Sequence, residues 1–237
     1  MGRAHEVRAA SMAKTAAKKS AANGRAAKEI YMLAKTGGAD PNANLALRTA
    51  IDKAKANQIP GDVIQRALKR AAGGDAETYT ANRYEGYGPG SVAIIVDSLT
   101  SNVNRAIANI REVFNKNGGK MGSSGSVAFL FQNLAVFDFE GTNPDEILEF
   151  LLENEVEVSD VVADDGVITV YAPYQAFADT KEALDKMGVN EYLTAEVKMV
   201  ADDAVNLNDE DREALTKLLD KLDELEDVQA IYHNAQL

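Results

Sequence analysis

The chain has 237 residues, is 46% hydrophobic and so can bury a core, and contains no apolar run near the roughly 18 residues that a membrane span needs. It has no cysteine, which excludes disulfides, thiolate metal sites and cysteine nucleophiles, and its two histidines, His5 and His233, stand near opposite ends. The net charge of −12 is unevenly spread: residues 1–75 carry 14 basic and 6 acidic side chains, residues 131–206 carry 3 and 18, so a cationic head sits on an anionic body and points to a polyanionic partner for the head.

Residues 1–22 are rich in Ala, Lys and Arg, with Glu6 the only acid. The segment can be helical but has too few large apolar residues to pack a core, so a frayed arm is expected. It lacks the apolar stretch of a secretory signal. Its acid-poor composition imitates a transit peptide, but a cytoplasmic location is the reading adopted. A helix is expected over residues 24–35, with Ile30, Tyr31 and Ala34 on one face. Asp40-Pro41 reads as an N-cap with proline in the first turn of a second helix, where Leu47, Ile51 and Ala54 stand at i, i+4, i+7. Pro60 opens a third helix, which Gly73-Gly74 stops. Short links between amphipathic helices make a three-helix bundle. Residues 73–82 read as a linker.

Arg83 to Gly90 (RYEGYGPG) reads as a turn between two strands, since three glycines and a proline cannot continue a helix. The β-branched run Ser91–Leu99 behind it is a strand buried on both faces. A helix over Val103–Asn117 and a strand over Ser126–Phe131 follow. Residues 134–199 then read strand (Leu134–Phe139), helix (Pro144–Glu153), strand (Glu157–Val162), strand (Val167–Tyr171), helix (Gln175–Met187), strand (Tyr192–Met199). That order is the βαββαβ of a ferredoxin-like unit. The tail adds a helix capped by Asn208 and a strand over Val228–His233. The fold class is therefore α+β: a basic helical domain with an N-terminal arm (1–79), a discontinuous middle domain (80–131 and 207–237), and an acidic domain (132–206) inserted into it. Both α/β domains are taken as ferredoxin-like. The rival reading makes the tail a helical appendage.

Candidate phosphate contacts in the head are Arg3, Arg8, Lys14, Lys18, Lys19, Arg25, Lys28, Arg48, Lys53, Lys55, Arg66, Lys69 and Arg70. Phosphate neutralisation supplies affinity with little sequence information. The pair 42–57 and 60–72 is a poor helix-turn-helix, because its second helix offers mainly Arg and Lys where base edges call for amides as well. Asn104 and Arg105, opening the helix after Asn102, could hold a phosphate at its N-terminus, and Lys116 and Lys120 follow. The glycine-rich stretch 117–126 has neither Walker nor GxGxxG order and reads as a helix C-cap and mobile turn. No catalytic triad, metal-ligand spacing or cofactor motif is present, so no catalytic residue, metal or cofactor is assigned.

Several stretches together resemble the YebC/PmpR family: Gly37-Gly38-Ala39-Asp40-Pro41, Leu47-Arg48-Thr49-Ala50-Ile51, Ala54 to Pro60, Tyr84 to Gly90, Leu99 to Arg105, and Phe114 to Gly119 with Gly125 to Phe129. The opening Gly2 to Arg8 and Val103 within the Asn102–Arg105 motif depart from the family pattern. The resemblance implies three domains, the third inserted into the second, and a regulator that binds DNA. It also implies an alternative, since other members, among them the mitochondrial translational activator of cytochrome c oxidase, are similar to translation factors acting on the ribosome. The expected protein is a non-enzymatic monomer bound to promoter DNA or ribosomal RNA, off the membrane; a metal-dependent nuclease is the remote alternative.

Overall fold

The computed structural model describes residues 2–73 and 78–237, with side chains described from Thr15 onward. The expected linker falls partly outside these residues, as do the side chains of Arg3, Arg8 and Lys14. The chain divides into two compact units, Met1–Leu130 with Asp203–Leu237, and Phe131–Asp202.

The first unit opens with α1 (Gly2–Gly37), α2 (Leu45–Ala56) and α3 (Gly61–Ala72). α1 runs unbroken through Asn23-Gly24, where a helix was expected only to begin. Ala21 is buried and Ala22, Ala26 and Ala27 pack on the bundle core, so the end of the supposed arm is part of the apolar face. Small side chains let α1 approach the other helices closely, and alanine costs the helix nothing. Ile30, Tyr31, Leu47, Ile51, Ile64 and Ala67 fill the centre. The cap of α2 is Asn44, not Asp40. Its Oδ1 accepts the Leu47 N–H at 3.1 Å, and its amide donates to the carbonyls of Leu33 (3.0 Å) and Gly38 (2.9 Å), which ties the end of α1 to the start of α2. Asp40 instead closes a turn by accepting the Asn42 N–H. Pro60 precedes the first turn of α3, as its fixed φ favours.

The same unit continues with β1 (Thr80–Tyr87), β2 (Ala93–Thr100), α4 (Val103–Lys116) and β3 (Lys120–Met121). β4 (Phe131–Glu140), α5 (Pro144–Glu153), β5 (Asp160–Asp164), β6 (Val167–Pro173), α6 (Phe177–Met187) and β7 (Thr194–Ala201) form the second unit. The chain then returns through β8 (Val205–Asn206), α7 (Asp209–Asp223), β9 (Val228–His233) and β10 (Ala235–Gln236).

The middle sheet has the order β3-β1-β2-β9, each neighbour antiparallel. β9 lies along β2 from Ile94↔His233 to Ser98↔Val228, so the tail is a structural strand of this sheet and no appendage. α4 and α7 cover one face, where Ile94 and Val96 meet Phe114, Leu215 and Leu218. The β1–β2 turn needs its glycines. Gly90 has φ +68°, and a Cβ there would also collide with Leu207; a Cβ at Gly86 would lie 2.6 Å from the Lys120 carbonyl oxygen. Ser126–Phe131 is not the strand expected there: residues 128–130 form a short 3-10 turn, and the strand starts at Phe131.

The second unit is a four-stranded sheet of order β5-β6-β4-β7, fully antiparallel. With α5 and α6 this is the split βαβ winding of a ferredoxin-like unit. Asn143 caps α5 with Pro144 at its first position. Phe137, Leu151, Val170 and Leu184 are fully buried between sheet and helices. The middle sheet has a like inventory but its own winding, with the β1–β2 hairpin at its centre and the later strands added on either side. Among the described residues no helix is long and apolar enough to cross a membrane.

Candidate nucleic-acid interface

The basic residues of the first unit fall into two groups. One group is paired with acidic residues of the tail. Lys18 Nζ lies 2.7 Å from Asp220 Oδ1, and this hydrogen bond raises the pKa of the Lys18 ammonium against the smaller opposing effect of desolvation. Arg25 Nη1 bonds the Asp223 carbonyl at 3.0 Å and its carboxylate at 2.9 Å. Lys28 is buried and donates to Asp227 Oδ1 (3.3 Å) and to the carbonyls of Glu226 (2.9 Å) and Leu99 (3.4 Å). Arg105 places Nε and Nη2 on the same Asp227 carboxylate at 2.9–3.1 Å. Positions 18, 25 and 28 of α1 thus meet 220, 223 and 227 of the tail in matching order. Asp227 is also buried, so its charge is held by two cations from distant parts of the chain.

These four cations, read from the sequence as phosphate contacts, have intramolecular carboxylate partners. The Asx cap is as expected, with Asn102 Oδ1 accepting the Arg105 N–H at 3.0 Å. The Arg105 guanidinium, however, is engaged by Asp227 where a phosphate was envisaged. A partial signal existed in the tail, because Asp220, Asp223 and Asp227 recur at i, i+3, i+7 in the sequence, although the helix itself ends at Asp223. Nothing local names the partner of that series.

The other group faces solvent. Lys19 on α1, Arg48, Lys53 and Lys55 on α2, and Arg66, Lys69 and Arg70 on α3 are exposed. Arg66 reaches Asp62 one turn back at 2.8 Å and Lys55 approaches Asp52 at 3.6 Å; both pairs are on open surface and are weak. Arg70 lies over the Tyr31 ring at 5.3 Å, and Lys35 lies over the same ring and bonds its hydroxyl at 2.9 Å. Asn104 and Lys120 are exposed, and Lys116 pairs with Glu112 at 2.5 Å.

The end of the glycine-rich loop after α4 is tied to β1. Glu85 on β1 is buried and accepts the backbone N–H groups of Gly125 (2.7 Å), Val127 (2.8 Å) and Ala128 (2.8 Å). Burial alone would raise the pKa of this carboxyl, but the three donors outweigh it and hold the group below the usual carboxylate range. Tyr87 donates its hydroxyl to the Ser126 carbonyl at 3.1 Å. Sequence reasoning missed this anchor, because a Glu on an alternating strand carries no sign of its loop partners. Among the described residues no group of three His, Asp or Glu is placed to hold a metal ion.

Residues 3–74 match the model of the TACO1/YebC protein N-terminal domain, and residues 79–235 match that of the TACO1/YebC second and third domain. The chain belongs to the TACO1/YebC family. It is 63% identical to a probable transcriptional regulatory protein of Mycoplasma capricolum, over all of both chains. It is 44% identical to another so named, from Alteromonas mediterranea, over 99% of this chain and 98% of that one. Among solved structures, the conserved hypothetical protein Aq1575 of Aquifex aeolicus superposes with a TM-score of 0.76 at 34% identity, covering 90% of this chain and 88% of that one.

Proposed function

We propose that the protein is a non-enzymatic regulator of gene expression that grips nucleic acid through the solvent-facing cations of α2 and α3. One observation carries the reading. Arg25, Lys28 and Arg105 are held by acidic residues of the returning tail, whereas Arg48, Lys53, Lys55, Arg66, Lys69 and Arg70 stand together on exposed positions of two neighbouring helices. Cations held out on a rigid bundle suit a phosphate backbone, whose condensed counterions they displace. The relatives' names, probable transcriptional regulatory proteins, support a role in transcription regulation. In this reading residues 1–79 are the gripping domain, 80–131 with 207–237 the middle domain, and 132–206 the acidic insert.

A second reading is favoured by the makeup of α3. Its exposed positions hold Asp62, Gln65, Arg66, Lys69 and Arg70, with a single amide for reading base edges. Backbone contact without base readout also fits ribosomal RNA, recognised by shape, and a role in translation. The deciding experiment measures binding to duplex DNA and to ribosomal RNA across a salt series. Arg66→Glu with Lys69→Glu is expected to weaken binding and lower the salt slope by about one per phosphate contact removed. Unchanged binding by the double variant would refute the assignment of α3. A duplex preference surviving about 0.15 M salt selects DNA; co-sedimentation with ribosomes without such a preference selects RNA.

A further inference from the structure

We propose that Phe129 is a stacking platform for an unpaired base of single-stranded nucleic acid, with Lys120 as its phosphate contact; this rests on the nucleic-acid reading above. Phe129 is 70% exposed, more than any other large apolar side chain among the described residues. Its position is rigid. It lies in the 3-10 turn 128–130, directly after the three N–H groups held by Glu85, and two residues after Val127, which is fully buried. The fold thus anchors the backbone immediately before a ring that it leaves exposed. Burial of that ring would stabilise the protein by up to about 3 kcal/mol, so its exposure is not explained by folding.

The surroundings select the ligand. Tyr87 and Lys120 are directly opposed in the β1–β3 pairing, so their side chains stand on one face of the sheet, and both are exposed. Tyr87 reaches Ser126 from that face, so the loop carrying Phe129 and the Lys120 side chain lie on the same side. Gly122, Ser123, Ser124 and Gly125 between them are exposed. A protein partner would need a broad contiguous apolar patch, and here the exposed apolar surface is the Phe129 ring with the partly exposed Tyr87 ring, flanked by hydroxyls, bare backbone and a cation. That set matches a base and its phosphate. Any base has a π-face, so the platform is tolerant of sequence.

The test uses the full-length protein with a single-stranded oligoribonucleotide containing 2-aminopurine, whose fluorescence falls on stacking, and with a blunt duplex of the same sequence. Phe129→Ala is expected to weaken single-strand binding about tenfold and abolish the stacking signal, while leaving duplex binding, the salt slope and the melting temperature unchanged. Phe129→Trp restores the signal, and Lys120→Gln lowers the salt slope by about one. Equal single-strand affinity and equal quenching in Phe129→Ala would overturn the platform and leave the α3 interface standing. Absence of all nucleic-acid binding by the unaltered protein would overturn both.

Discussion

Asp227 is the residue on which the first unit closes. Its buried carboxylate holds Lys28 and Arg105, and removing it strands an ammonium that is itself buried. Breaking such a pair from one side costs about 3–5 kcal/mol, more than the pair contributes relative to an apolar replacement. Asp227→Ala should therefore lower the melting temperature on the order of 10 °C in calorimetry. Removing Lys18, whose pairing with Asp220 is partly in solvent, should change it little. Glu85 supplies a pH dependence of definite sign. Its folded pKa is depressed, so its contribution is whole above the unfolded value near 4.3 and is lost as pH falls through the folded value. Urea unfolding between about pH 5 and pH 3 should show this loss, and Glu85→Gln should flatten that part of the profile. His233 has the same sense of dependence: burial lowers its pKa, partly countered by a hydrogen bond with the Ala235 backbone, so protonation below its unfolded value disfavours the fold.

The β1–β2 connection is the element whose geometry is most demanding. Gly90 combines positive φ with contact against Leu207, a residue that returns only after the insert. Gly90→Ala should destabilise by about 1–3 kcal/mol, read from chemical unfolding, whereas an alanine at Gly61, with open space around its Cβ position, should be tolerated. Elements like this were legible in the chain because their causes are local. Asn208 caps the helix it was expected to cap, Asn102 and Asn143 cap helices that begin where they were expected, and the order of elements in 134–199 gave the winding of the insert. Failures came where a distant group intervened. Val127 and Phe129 alternate like strand residues, but Glu85, some forty positions earlier, takes the local N–H groups that a ladder would use. Asp40 resembles a cap, but Asn44 can also reach the end of α1 and wins. The basic head was legible as charge alone. Which of its cations meet the tail depends on how α7 packs, and helix spacing does not reveal that.

At the scale of the molecule, the insert leaves and rejoins the chain through one pair of strands. Phe131 sits opposite Ala201 in the β4–β7 register, and Gln132 bonds Asp202. Opposed residues of an antiparallel pair lie about 5 Å apart. A two- or three-residue linker in place of 132–201 should therefore leave the first unit folded, with its own cooperative melt and its nucleic-acid affinity retained. Loss of that melt would show that the first unit depends on the insert. The remaining unit would be far less acidic, since residues 131–206 carry 18 of the 37 acidic side chains.

The shared carboxylate of Asp227 also imposes an order on biosynthesis. Lys28 is synthesised 199 residues before its counter-ion, and the edge strand beside β2 follows that counter-ion. Until then the nascent helical head has a lysine destined for the interior and no anion to neutralise it. Lys28 must meet a carboxylate made 199 residues later before the head is locked, so maturation of the first unit waits for the return of the chain after the insert.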